Sequence, residues 1–309
     1  MPLAFLILAH KNARQVHRLF RAVYRAEDVL ILHFDRRADS TLHRLGRQLA
    51  RAHQNVLVLP SQTILWGGHR MAAVQIEAMR AALGASEHWH HFINLTGQDF
   101  PIKPVGQLNA RLAADPAASY VSWFDPMLQP LWKNAQDRLR HYNLEWAWLE
   151  RCLRIPGVGR RVRKLLGWQD DLPHIPGFSR KPPDFRYYGG SNHVILNRAA
   201  CQYLTTDPKA ESIIRWLEHT AHANEIVFQT ALLNSPLANS IVNTHLREID
   251  FPENVPHPKT FGIGDFERVV ASPMFIARKF DESVDGEILD RLETYLGLSA
   301  ANHGTPAHS

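Results

Sequence analysis

Glu225 follows Asn224 at the start of an apolar segment that runs to Leu233. A carboxylate placed there could take the proton of an attacking hydroxyl, a contribution of roughly 10²–10⁴-fold in rate. The structural alternative is that Glu225 complements the dipole of a helix N-terminus. Further on, Phe275–Asp281 reads FIARKFD, with Arg278 and Lys279 side by side between apolar residues. Adjacent cations near a core are unfavourable unless an anion pairs with them, and a leaving diphosphate is one such anion. A surface strand with alternating faces is the other reading.

Three further places carry polar residues where a ligand could sit. Asp35 ends the run VLILHFD, and Ala9-His10 end the run before it. A carboxylate at a strand end can accept hydrogen bonds from a ribose or a uracil edge, or it can cap the following turn. In Trp66-Gly67-Gly68-His69, Gly67 and Gly68 would let backbone approach a ligand at a helix N-terminus, which favours an anion. Asp99, in LTGQDFP, reads as a ligand or as a turn residue. No GxxxxGK[ST], GxGxxG, HExxH or CxxC spacing occurs, so a P-loop, a dehydrogenase fingerprint and the common zinc motifs are excluded.

The elements that must position these residues are legible from periodicity. Leu3–Leu8, Val29–Asp35, Val56–Leu59 and Phe92–Leu95 are apolar runs of strand length. Between them lie amphipathic segments: one carrying Val16, Leu19, Phe20 and Val23, then Leu42 to Ala52, then His69 to Leu83. That alternation predicts βαβ units, a mainly parallel central sheet flanked by helices, and ligand sites at the carboxyl ends of the strands. The middle, about 120–185, is rich in aromatics and prolines and reads as a long insertion or lid. Order returns with a glycine turn and strand at Tyr187–Asn197. Helices are expected at Ala199–Leu204, Glu211–Ala221, Glu225–Leu233 and Glu287–Leu296, and an extended segment at Ile241–Ile249.

The 309 residues are 45% hydrophobic and 21% charged, an ordinary globular composition for a chain that needs no disulfide or metal staples. The net charge is +5 and the isoelectric point about 9.3, compatible with an anionic partner of any kind. A polyanion-binding protein would show a continuous cationic stripe with interleaved aromatics, and none is present. The two cysteines, Cys152 and Cys201, are distant in sequence. No run approaches the ~18 apolar residues of a membrane span, and Leu3–Leu8 is too short for a signal segment. Residues 300–309, with His303 and His308, read as a disordered tail.

In this order, LAHKNARQVHRLFRAVY, VLILHFD, WGGHRMAAVQIEAM, FINLTGQDFPIK, GGSNHVILNR, NEIVFQTALLNSP, LREIDF and FGIGDFERVVASPMFIARKFD resemble glycosyltransferase family 14. That family comprises the core-2/I-branching β-1,6-N-acetylglucosaminyltransferases and peptide O-xylosyltransferases. The joint pattern covers most of the chain to Asp281, and its C-terminal half looks closer to the xylosyltransferase branch. The resemblance implies a GT-A-like α/β fold over about 1–300. A nucleotide-binding half would span about 1–115, a variable acceptor-side segment 120–185 and a catalytic half 186–297. It implies a UDP-sugar donor, UDP-GlcNAc or UDP-xylose, and inverting transfer to a hydroxyl of a glycan or glycoconjugate.

No cofactor, metal or nucleic acid is expected. The family lacks the DxD metal motif usual in such folds, no DxD occurs in the nucleotide half here, and Arg278-Lys279 stand at the family's basic position. Ala9, His10, Asp35, Gly67, Gly68 and Asp99 are expected on the donor, and Glu225 falls on the family's catalytic base. Gly190, Ser191, Asn192 and Trp123 are expected on the acceptor side, with Trp132 and Tyr188 as further apolar faces or as lid packing. Asn192 stands where xylosyltransferases usually carry Asp, which leaves the donor sugar open. The membrane anchor and several disulfides of the eukaryotic members are missing, which suggests a bacterial-type enzyme, cytoplasmic or peripheral at the inner face of a membrane. A catalytically silent sugar-binding module is the competing class, and intact Glu225 and Arg278-Lys279 argue against it.

Overall fold

The computed structural model describes residues 1–65, 67–128, 135–143, 145, 174–252 and 257–298, with isolated positions 152, 155, 157, 159, 161 and 162. Trp132 and the 300–309 tail lie outside the described residues.

Leu3–Ala9 forms β1, and all seven of its residues are buried. Its side chains alternate between two cores. Leu3, Phe5, Ile7 and Ala9 enter one, while Ala4, Leu6 and Leu8 enter the other. This explains why the run is apolar throughout rather than alternating: the strand has helices on both faces. β2 (Val29–Phe34), β3 (Val56–Val58) and β4 (His91–Thr96) join it in parallel, in the order β4-β1-β2-β3. α1 (Ala13–Val23) and α2 (Ser40–Ala52) cover one face, and α3 (Arg70–Ala85) the other. Asp39 starts α2 by accepting from Leu42 N at 2.9 Å, an N-cap of the usual kind.

The other side of the sheet is mixed. β6 (Ser119–Phe124) and β9 (Gly189–Asn197) extend it as β10-β6-β9-β4, with β9 antiparallel to both neighbours and β10 (Ile241–Val242) parallel to β6. The central sheet is thus mainly parallel, as expected. Residues 119–124, at the start of the segment expected from about 120, are a strand of the central sheet. Its serines and aromatics conceal it, since only its first half is buried. Two expectations need correction. Ile241–Ile249 is not one extended piece. Leu246 turns the chain with φ 54°, and β11 (Arg247–Ile249) joins a different sheet. Glu225–Leu233 is not one helix. A 3-10 turn, Ala223–Glu225, is separated from a short helix, Val227–Leu233, by Ile226 at φ −129°.

The second sheet is small, of order β11-β12-β5, from Arg247–Ile249, Ile276–Arg278 and Asp99–Pro101. It sits at the carboxyl end of β4. The C-terminal helix Glu287–Tyr295 is fastened to α1 through buried Arg18, whose guanidinium meets Glu282, Asp290 and Glu293 at 3.1, 2.7 and 2.9 Å.

Gly190 of β9 lies close against β6, opposite Trp123. A Cβ there would collide with the main-chain carbonyl of Ser122 and stand 2.8 Å from Gln229 Nε2. Gly190→Ala should therefore lower stability by about 1–3 kcal/mol, as overpacking does. A thermal melt checks this, and an unchanged melting temperature would mean the strands part without strain.

Candidate active site

Cross-strand register builds the centre of the site. In the second sheet Arg278 lies opposite Asp99 and beside Ile249, while Arg247 lies beside Ile276. Arg278 therefore meets a carboxylate across the strand pair, with Arg247 in the neighbouring strand. Arg278 Nε stands 3.7 Å from Asp99 Oδ1, and Asp99 Oδ2 accepts from Thr96 N at 2.7 Å. Asp99 is fully buried and Arg247 is 3% exposed. Burial first, then Arg278, lowers Arg247 to about 10, while Asp99 opposes the shift, so it stays a cation at neutral pH. Arg278 Nη1 contacts His193 Nε2. His193 is held far below the ordinary histidine range by burial first and then by Arg278, Arg247 and His245. Burial, Arg247 and Arg278 likewise lower His245 to about 4. Both imidazoles are neutral, and among the described residues Asp99 is the one carboxylate paired with Arg278, while Arg247 rests on the carbonyls of Asn94 and His245. The cluster carries excess positive charge, and an anion is the partner it lacks.

Lys279 follows Arg278 across a cis peptide bond. The segment is tied to the strand ends of the first half. Lys11 Nζ lies 2.5 Å from Asp281 Oδ2, and Asn12 Nδ2 donates to Asp281 Oδ1 at 3.0 Å. Gln15 Nε2 donates to Gly97 O and Phe280 O at 2.8 and 3.0 Å. These bonds bring the ends of β1 and β4 and the Arg278–Asp281 segment to one place. Asp281 is held well below the usual carboxylate range: burial raises it, but hydrogen bonds from Lys11 and Ser283 outweigh that.

Glu225 lies one contact chain away. Asn192 is next to His193, and its Nδ2 donates to Met71 Sδ at 3.0 Å. Asn224 Nδ2 reaches the same sulfur at 3.8 Å, and Glu225 follows it. Glu225 is partly buried, and burial raises its pKa from the ordinary 4.5 to about 7, with Arg138 opposing the shift. A carboxyl poised near neutral pH beside polar groups is the condition a general base needs. Gln75 Oε1, Asn224 Oδ1 and Gln229 Oε1 are buried here with no hydrogen-bond partner among the described residues.

The other expected residues fall as follows. Ala9 is buried and its carbonyl accepts from Asp35 N at 2.9 Å, while His10 is exposed at the strand end. Asp35 accepts four hydrogen bonds from the protein, from Arg37 N, Nε and Nη2 and from Ile64 N, at 2.8 to 3.1 Å. Burial alone would raise its pKa, but these donors hold it below the ordinary value. Its acceptor sites are thereby filled. In this arrangement it orders the turn around Arg37.

Asp99 is buried beneath Arg278, so any influence on a ligand is indirect. The anion site expected at Gly67-Gly68 is filled by the chain itself. Glu145 Oε1 accepts from His69 N and lies 2.8 Å from His69 Nδ1, and a Cβ on Gly68 would fall on that carboxylate. Gly67 O accepts from His222 N at 2.7 Å, which ties this turn to the Glu225 turn. On the acceptor side Gln229 Nε2 donates to Ser191 O at 2.6 Å, and the Trp123 and Tyr188 rings meet edge-on at 5.5 Å.

Sequence reading missed three members. Arg247 lay inside a quoted motif without a role. His193 follows Asn192 in the glycine strand. Asn94 is the one polar residue inside the apolar strand FINL, and that anomaly was its signal.

A family model described as Core-2/I-Branching enzyme matches residues 3–274. The chain belongs to the core-2/I-branching enzyme family. Xylosyltransferase 1 from Homo sapiens is 28% identical over 95% of this chain and 30% of that protein. Xylosyltransferase 2 from Canis lupus familiaris is 28% identical over 99% of this chain and 35% of that protein. The chain thus spans about a third of the length of the curated relatives it matches. A solved 4-diphosphocytidyl-2C-methyl-D-erythritol synthase from Anaerococcus prevotii superposes with a TM-score of 0.29 at 10% identity, over 67% of this chain and 77% of that one. That likeness carries no argument. Among the described residues of this family member, no helix is long and apolar enough to cross a membrane. No group of three or more His, Cys, Asp or Glu among them could hold a metal ion.

The raised pKa of Glu225 has a consequence for stability. The folded state binds the proton more tightly than the unfolded chain, so stability falls as pH rises from about 4.5 through about 7. Glu225→Gln removes that loss. Its melting temperature should exceed that of the unaltered protein at pH 8 and converge with it near pH 4.5. Parallel curves across that range would refute the raised pKa.

Proposed function

We propose that this family member is an inverting glycosyltransferase that moves GlcNAc or xylose from a UDP-sugar to a hydroxyl of a glycan or glycoconjugate. The observation that carries the reading is buried Arg247 and half-buried Arg278 at the strand gap, where among the described residues Asp99 is the one carboxylate paired with Arg278. Excess positive charge at the carboxyl ends of β1 and β4 matches a diphosphate in sign and place. Family membership and the xylosyltransferase relatives support sugar transfer as the chemistry.

In this mechanism Glu225 accepts the proton of the acceptor hydroxyl as its oxygen attacks the anomeric carbon. The bond from that carbon to the diphosphate oxygen breaks, and its electron pair leaves with UDP. Arg278 and Lys279 take up the charge that develops on the leaving group, so the reaction proceeds without a divalent metal. One displacement inverts the anomeric centre. The strand Gly190-Ser191-Asn192, with Trp123 and Tyr188, borders the acceptor, and the end of β1 at Ala9-His10 borders the uridine. The enzyme works in the cytoplasm or against the inner face of a membrane.

The test is UDP release and product formation from UDP-GlcNAc and UDP-xylose with candidate acceptors, with and without EDTA. Turnover should persist in EDTA and rise with pH through about 7 as Glu225 loses its proton. Glu225→Gln should bind UDP as before and lose roughly 10²–10⁴-fold in turnover. Binding of no UDP-sugar overturns the reading, strict dependence on a divalent cation overturns the metal-free step, and near-normal turnover in Glu225→Gln overturns the base.

A further inference from the structure

β4 pairs with β1 on one side and β9 on the other. Gly97 N donates to Leu8 O and Arg198 N to His90 O, so odd-numbered residues of β4 turn their backbone toward β1 and even-numbered ones toward β9. The β4–β9 register runs through His91↔Asn197 to Ile93↔Ile195 and stops there. At the next position the side chain of Asn94 intervenes. Val194 N donates to Asn94 Oδ1 at 2.7 Å, and Asn94 Nδ2 donates to Asn192 O at 2.9 Å. The main-chain carbonyl of Asn94, which faces β9, is thereby released from Val194 and accepts from Arg247 Nη2 at 2.5 Å. One even position further, Thr96 N donates to Asp99 Oδ2. The cations and their carboxylate therefore enter the gap where the two strands part.

We propose that Arg247, seated on the Asn94 carbonyl that the Asn94 amide sets free, is a positioning residue for donor binding: it places a second cation in the strand gap where Asp99 pairs with Arg278, so that positive charge is left over there for the diphosphate. This rests on the transferase reading above. Arg247 Nη1 donates to His245 O at 2.8 Å, and its Nε has no hydrogen-bond partner among the described residues. Asp99 raises and Arg278 lowers the pKa of Arg247, so both lie within electrostatic reach of it. Without Arg247, the gap would hold Arg278 and Asp99 with their charges in balance. The same amide holds the carbonyl of Asn192, so the diphosphate side and the acceptor strand are set by one side chain.

In Asn94→Ala, Val194 N–H is free to take the main-chain carbonyl at position 94, which extends the ladder by one bond and displaces Arg247. The ladder bond offsets only part of the lost amide bonds and of the displaced Arg247 contact, so the melting temperature should fall while the UDP dissociation constant, read by calorimetry on the folded variant, rises about tenfold. Arg247→Gln should weaken UDP about as much. The double variant should be no weaker than either single one, as expected when two residues act through one contact. A solely structural role for Asn94 would lower the melting temperature and leave UDP affinity unchanged, which overturns the proposal. Additive losses in the double variant also overturn it. Should Asn94→Ala fail to fold, Arg247→Gln decides alone, and unchanged UDP affinity in it refutes the proposal. Failure of the unaltered protein to bind UDP overturns the transferase reading and this inference together.

Discussion

A buried arginine, a half-buried one and the buried carboxylate of Asp99 form the constraint on which the rest of the site depends. Arg247 and Arg278 come from separate strands and Asp99 from a third. Burying a cation without a partner is strongly unfavourable, so the surrounding fold must hold the cluster tightly. It does so with a buried hydrogen-bond network and two histidines kept neutral, His193 and His245. A charged histidine in either place would add a third cation to a cluster that already exceeds its anions.

The parting of β4 and β9 makes room for that cluster. A sheet paired along its full length would have no carbonyl free for Arg247 and no N–H free for Asp99. Asn94 ends the pairing from within a strand that is otherwise apolar. The same gap brings Asn192 and His193 between the cations on one side and the Met71–Asn224–Glu225 turn on the other. Glu225 and the arginines are thus placed by one local feature of the sheet. The middle segment contributes from above: Glu145 occupies the N-terminus of α3, and buried Arg180 packs over Trp216 at 3.9 Å.

Much of the first half was legible from sequence, because its strands are buried on both faces and their apolar runs have no competing explanation. β1 and β2 fall within a residue of their expected bounds. β6 was missed because half of it is only partly buried, so its pattern lacks the run that marks an inner strand. Family resemblance carried Glu225 and Arg278-Lys279. Asp35 and Gly67-Gly68 were read as ligand contacts on the strength of their position at strand and helix ends. Position gave no view of Arg37, Ile64 or Glu145, the neighbours that occupy those groups here.

Local sequence determined the periodic elements, the βαβ alternation and the residue types able to serve as base and cations. These are properties of neighbours in the chain, and hydrophobic spacing encodes them directly. Only the tertiary structure decided that Arg247, Arg278 and Asp99 share a buried site and that Glu225 titrates near 7. It also decided that Asn94 opens the sheet to admit them. Charge balance and desolvation depend on groups more than a hundred residues apart, and no spacing along the chain records which of them meet.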